Sequence, residues 1–302
     1  MKKEKRLVSI IVRTKDRPKL LNNALQSIAS QTYRPIEVVL INDGGCGLEV
    51  KETEGILGDV RLQYIRLKKN TGRAHAGNVG IENAKGEYIG FLDDDDEYYP
   101  EHIDTLTGFL NKSNFKIVYS LVEKVEKVYN PDLSSSVISS KKLFSDKDFS
   151  FDELLVENYI PLSSLLFEFQ VLKFLMFDES FELFEDWDLL IRAAEKTKFG
   201  HVKKITSSYN QWGPSQIAFR SKPEDLKNAA IKIYEKHLNK FTPQLIYRLC
   251  VDVSTKYTGD TGYLKGLLSE KESQIHAMVN TRGWKYLEKY RRIREKIKRL
   301  FS

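Results

Sequence analysis

The chain has 302 residues, 41% of them hydrophobic and 30% charged, with 17 Gly and 8 Pro, a globular composition that excludes a disordered or collagen-like protein. No apolar stretch is long enough for a spanning helix, and two cysteines, Cys46 and Cys250, are too few for a disulfide framework or a cysteine zinc site and fit a reducing cytoplasm. The net charge of +6 sits in the tail: residues 282–302 hold nine Lys or Arg against Glu288 and Glu295, while the other 281 residues carry 39 basic and 40 acidic side chains. A neutral body argues against nucleic acid as a partner, despite the basic pI.

Strand and helix signals alternate over the first 120 residues. Val8 to Val12 is a short apolar strand. Pro18 opens a helix whose stripe is Leu20, Leu21, Ala24, Leu25 and Ile28, since proline suits a first turn and the spacing keeps one apolar face. Ile36 to Ile41 is a second strand closed by Asn42-Asp43-Gly44-Gly45, and Arg61 to Leu67 alternates as a third. Ala74 to Ala84 reads as a helix, Glu87 to Leu92 as a strand ending in Asp93-Asp94-Asp95-Asp96, and Pro100 opens another helix. Strands separated by helices imply βαβ units and a mainly parallel α/β sheet, in which ligands bind beyond the carboxyl ends of the strands. The polar segments Thr14-Lys15-Asp16-Arg17, Asn42-Asp43 and Asp93 to Asp96 therefore converge on one edge.

Residues 130–150 are rich in Ser, Lys and Asp and read as a mobile loop. Ser163 to Phe169 is a strand, His201 starts another, and Glu185 to Glu195 and Pro223 to Leu238 are helices. Ser269 to Phe301 reads as one long helix with Trp284, Leu287, Ile293, Ile297 and Leu300 near one stripe. The expected organisation is an α/β domain over 1–215, a helical extension over 216–268 and a basic amphipathic helix over 269–302.

Four consecutive carboxylates after a buried strand repel one another and raise each other's pKa unless a cation neutralises them. Oxygen-only ligation suits Mg²⁺ or Mn²⁺, with one or two carboxylates and substrate phosphates completing the shell. The plainer alternative is a solvated acidic turn before the helix at Pro100.

The ordered segments Ser9 to Pro18, Val39 to Gly44, Asn70 to Gly80 and Ala84 to Asp96 together resemble family 2 glycosyltransferases of the GT-A fold, tightly over about 7–105 and loosely to about 215. The resemblance implies a metal-dependent, inverting transfer from a nucleotide-sugar donor, UDP-linked first, to a hydroxyl of a glycan or lipid-linked glycan acceptor. It implies that Thr14 and its neighbours, Asp16 among them, line the nucleotide pocket, that Asp43 meets the base, and that Arg73 lies near base or diphosphate. Asp93 and Asp95 match the acids of the Asp-x-Asp motif as metal ligands, with Asp94 beside them at the donor and Asp96 as a cap of the next helix. The sequence departs from the family where the usual small-Arg-Asn triplet reads Ala76-Gly77-Asn78, and where the usual proline before Thr14 is Arg13; Arg73 or His75 would compensate.

A second acidic site lies in Phe184-Glu185-Asp186-Trp187-Asp188. The resemblance implies Asp186 as the catalytic base, which takes the proton of the acceptor hydroxyl, with Asp188 as the alternative. Trp187 and Trp212 are core residues or sugar platforms. A sugar-phosphate nucleotidylyltransferase is the rival enzyme, disfavoured because residues 13–17 lack glycine; the non-enzymatic rival is a degenerate domain used as a scaffold. The basic tail points to an anionic membrane surface at the inner face of the plasma membrane, or alternatively to an oligomer partner.

Overall fold

The computed structural model describes residues 6–130, 136–212, 222–256 and six positions between 269 and 277. The helix expected over 269–302, with its basic stripe, lies almost wholly outside them. The chain divides into two compact units, Met1–Arg220 and Ser221–Ser302.

In the first unit the strands are β1 (Val8–Thr14), β2 (Ile36–Asn42), β3 (Arg61–Arg66), β4 (Tyr88–Asp93), β5 (Glu97–Tyr98), β6 (Ile117–Tyr129), β7 (Ser136–Leu143), β8 (Leu165–Glu168) and β9 (Phe199–Gln211). Its helices are α1 (Pro18–Ala29), α2 (Val50–Leu57), α3 (Arg73–Asn83), α4 (His102–Leu110), α5 (Phe151–Val156), α6 (Phe169–Leu172) and α7 (Glu185–Ala194). One mixed sheet runs β3-β2-β1-β4-β8-β6-β9-β5, with β7 hydrogen-bonded to β6. The first four strands are mutually parallel; β8 then runs antiparallel to both β4 and β6, and β9 runs parallel to β6. This is the α/β architecture with a mainly parallel first half that the sequence implies.

β1 and β2 are buried along their whole length, which explains their near-continuous apolar runs: helices cover both faces of a parallel sheet. Leu21, Ala24, Leu25 and Ile28 of α1 join Val8, Ile10 and Val38 in one core. The parallel register pairs Arg13 with both Ile41 and Asp93, so β1, β2 and β4 end together. The loops after these three strands thus share one edge, as expected for a ligand-binding sheet.

Two readings change. Residues 130–150 are not simply a loop, because β7 forms a hairpin with β6 through a bulged register. Its serines and lysines satisfy ladder hydrogen bonds from an exposed position, so no buried face marks it in the sequence. Asp96 does not cap α4, which starts at His102 with Glu101 before it; it is buried and accepts a hydrogen bond from the Asn210 backbone N–H at 2.9 Å. The second unit contains α8 (Pro223–His237) and α9 (Pro243–Lys256), and Tyr234 of α8 packs edge-on against Phe241. Among the described residues no helix is long and apolar enough to cross a membrane.

Candidate active site

The acidic run leaves β4 into a setting already lined with arginines. Arg13, buried at the end of β1, donates from Nε and Nη2 to Asp93 Oδ1 at 3.2 and 2.7 Å. Arg17 contacts both oxygens of Asp94, at 2.5 Å to Oδ1, and reaches Asp95 Oδ2 at 3.1 Å. Thr14 donates to Asp94 Oδ2 at 2.6 Å. Burial alone would raise Asp93, but Arg13, with Arg73 and Arg17 behind it, outweighs that and holds it below the usual carboxylate range. Burial raises Asp94 against the pull of Arg17, and burial also raises Asp96, helped by the charges of Asp95 and Asp93.

Trp212 Nε1 also donates to Asp95 Oδ2, at 3.1 Å, so this indole meets the acidic run, whereas Trp187 is buried with its Nε1 on the Leu154 carbonyl. Asp93 and Asp95 each accept their side-chain hydrogen bonds on a single oxygen, leaving the other oxygen without a hydrogen-bond partner among the described residues. No group of three His, Cys, Asp or Glu side chains forms a metal cage among these residues. Two open carboxylate oxygens nevertheless suit a hard cation that takes the rest of its shell from phosphates and water.

The flanking loops are tied down by the other predicted residues. Asp43 accepts from Thr71 N at 2.7 Å, Thr71 Oγ1 at 2.9 Å and Gly72 N at 3.0 Å, so it fastens the β2 exit to the start of α3. Gly44 is required there: its φ is +73°, and a Cβ would lie 2.2 Å from Asn70 N. Asp16, itself at φ 55°, accepts from Cys46 N at 2.7 Å. Arg73 opens α3 and reaches Glu185 Oε2 at 2.9 Å. His75 pairs with Glu179 at 3.1 Å. A Cβ at Gly77 would lie 2.7 Å from the Phe177 ring, so Phe177 fills the room a side chain at that position would need.

At the first turn of α7 the neighbouring acids have different partners. Glu185 is buried between Arg13 and Arg73. Asp188 is fully buried and accepts from Arg192 Nε at 2.8 Å, one turn on. Asp186 is half-buried; its Oδ1 accepts from the Trp187 N–H at 2.8 Å and its Oδ2 from Asn158 Nδ2 at 3.2 Å. Burial first, and the charge of Glu185 second, push its carboxyl up to about 6 against the arginines Arg73 and Arg13. A carboxylate poised there is ionised at neutral pH yet basic enough to take a proton. Asn158, Arg17 and Trp212 are the partners that sequence reasoning missed, because each acts on a residue 28 to 117 positions away.

Known proteins resemble this chain in sequence and in fold. The model of the family "Glycosyl transferase family 2" matches residues 9–168. An uncharacterized glycosyltransferase of Bacillus subtilis is 28% identical over 213 residues, covering 70% of this chain and 77% of the relative. One from Rickettsia felis is 27% identical over 253 residues, 82% of this chain, which spans only 40% of that relative's length. Among solved structures, Staphylococcus aureus TarS 1–349 in complex with UDP-GlcNAc has a TM-score of 0.60 at 19% identity, covering 77% of this chain and 66% of that one. A mannosyltransferase from Pyrobaculum calidifontis in complex with GDP-Man and Mn²⁺ has a TM-score of 0.54 at 15% identity, covering 91% and 87%. At these identities the two structures carry the fold.

Proposed function

The chain belongs to glycosyl transferase family 2, and from that premise we propose that it transfers a sugar, with inversion, from a UDP-linked donor to a hydroxyl of a glycan or lipid-linked glycan acceptor. The observation that carries the proposal is the isolation of Asp186: of the three acids on the first turn of α7, it alone lacks an arginine partner at ion-pair distance among the described residues. Asp186 takes the acceptor proton, and inversion follows from attack opposite the leaving group. Asn158 and the Trp187 N–H fix the carboxylate so that its basic lone pair keeps one direction.

The donor lies over the ends of β1, β2 and β4. Thr14, Asp16 and Asp43 border the nucleoside end; Arg73 and Asp94 border the diphosphate. Asp93 and Asp95 would hold the Mn²⁺ or Mg²⁺ with their open oxygens. When bound, this cation neutralises charge on the departing diphosphate. UDP and a cation-bearing donor are supported by neighbours that bind UDP-GlcNAc and GDP-Man with Mn²⁺. The nucleotidylyltransferase alternative is disfavoured because Arg13 and Arg17 are engaged by the acidic run and not presented to a triphosphate.

A thermal-shift series with UDP, GDP and dTDP, each with Mn²⁺, tests the reading, since a ligand that binds only the native state raises its melting temperature. UDP is expected to give the largest shift. No shift with any nucleotide would overturn the donor site, and a larger shift with GDP would overturn the uridine preference.

A further inference from the structure

Arg13 departs from the family pattern, and its buried side chain makes four hydrogen bonds to three other residues. Its side chain is 6% exposed. Nε and Nη2 hold Asp93 on β4, and Nη1 donates to Glu185 Oε1 on α7 at 3.1 Å and to the Arg73 carbonyl on α3 at 3.3 Å. Its Cζ lies 5.8 Å from the Phe177 ring centroid, and that ring closes the space beside Gly77. One cation thus joins three elements far apart in sequence, including the carboxylate that ends β4 and the residue before Asp186. Taking such a cation out of water is costly, and replacing a buried ion pair by apolar groups is often neutral or stabilising. Stability alone therefore does not call for this side chain, whereas a fixed geometry does.

We propose that Arg13 is a positioning residue: it clamps the end of β4 to the first turn of α7, so that the donor-side carboxylates and Asp186 bear on the same bond. The inference rests on the transferase reading above. With Arg13 gone, Glu185 keeps Arg73 as its ion-pair partner among the described residues, and the bridge that Arg13 makes from the first turn of α7 to β4 is lost. The titratable and charged groups that face Asp186 are Glu185 beside it, Arg73 from α3, Arg13 from β1 and Tyr209 from β9; burial and the nearby carboxylates raise the Tyr209 phenol, so it stays neutral across the acid limb. Loss of Arg13 removes a cation and raises the Asp186 carboxyl; loss of the Glu185 charge lowers it.

The experiment measures hydrolysis of UDP-GlcNAc, or of GDP-mannose where UDP-GlcNAc is not turned over, with Mg²⁺ against pH for wild type, Arg13→Lys, Arg13→Met, Glu185→Gln and the double variant Arg13→Met with Glu185→Gln, alongside their melting temperatures. Arg13→Met is expected to lower kcat by roughly tenfold or more with KM changed less than about fivefold, because a clamp acts on alignment more than on donor affinity. Its acid limb moves to higher pH. Adding Glu185→Gln recovers part of kcat and brings the limb back down. Arg13→Lys, which keeps charge without the planar fork, falls between; it also serves if Arg13→Met does not fold. Unchanged kcat and limb in Arg13→Met and Arg13→Lys would overturn the clamp, as would a double variant whose losses simply multiply. A wild type inert to UDP-GlcNAc and GDP-mannose would count against the transferase reading instead. The clamp would then stand or fall on non-additive melting temperatures in the same double variant.

Discussion

Replacing Asp186 by Asn removes a proton acceptor while keeping shape. The amide oxygen still accepts from the Trp187 N–H, now at 2.8 Å to Oδ1, so α7 keeps its first turn. A positioned general base contributes about 10²–10⁴ in rate, or about 3–5 kcal/mol of barrier at 1.36 kcal/mol per decade. Asp186→Asn should therefore lower kcat by that factor while UDP affinity stays within a few-fold of wild type, by calorimetry beside a UDP-release assay. The pH profile supplies a second reading. Asp186 is raised to about 6 by burial and by Glu185, and only its ionised form accepts a proton. Wild-type turnover is therefore full above that pH and falls about tenfold per unit below it, whereas the Asn variant lacks this limb. Asp188→Asn is the control: Asp188 is committed to Arg192, so this change should lower the melting temperature and leave kcat within a few-fold. An Asp186→Asn enzyme with more than about a tenth of wild-type turnover, or a dead Asp188→Asn enzyme beside an active Asp186→Asn one, would refute the reasoning.

Asp95→Ala removes one of the two open oxygens offered to the cation and should cost two or more orders of magnitude in turnover, about 3 kcal/mol or more, read in a Mn²⁺ titration with an EDTA control. Asp43→Ala strips the acceptor from two N–H groups and one hydroxyl at the start of α3; a loss of about 1–3 kcal/mol in stability and a smaller UDP-induced shift are expected in thermal denaturation. Truncation after Glu270 removes the net +7 of residues 282–302 and should abolish sedimentation with anionic liposomes, since each basic side chain near such a surface contributes about 1 kcal/mol. Binding by the intact chain should weaken with salt, and its absence at low salt would leave assembly as the role of the tail.

The half of the fold that was legible is the half built from strands buried on both faces. β1, β2 and β4 are near-continuous apolar runs, broken only by residues such as Ser9 and Glu37, because helices cover both sides. β6 escaped notice: its buried positions step from Val122 to Val125, and its pairing with both β9 and β7 is bulged, so no period of two survives. β7 escaped for the opposite reason, being exposed along nearly its whole length. In the site, the sequence reading left Asp188 as an alternative base; the i,i+4 spacing of Asp188 and Arg192 is the local signal that, once the pair is seen, separates it from Asp186. The links from Arg13 to Glu185 and from Trp212 to Asp95 span 172 and 117 residues, and no local pattern encodes a meeting made by the topology of the sheet.

Proton NMR of UDP-GlcNAc hydrolysis with Mg²⁺ tests the central claim most directly, because the stereochemistry of the first product reports the mechanism before mutarotation blurs it. The account predicts metal-dependent release of UDP with the β-anomer of the sugar appearing first in wild type, and neither product above background in Asp186→Asn. First appearance of the α-anomer, or equal release by the Asp186→Asn protein, would contradict it.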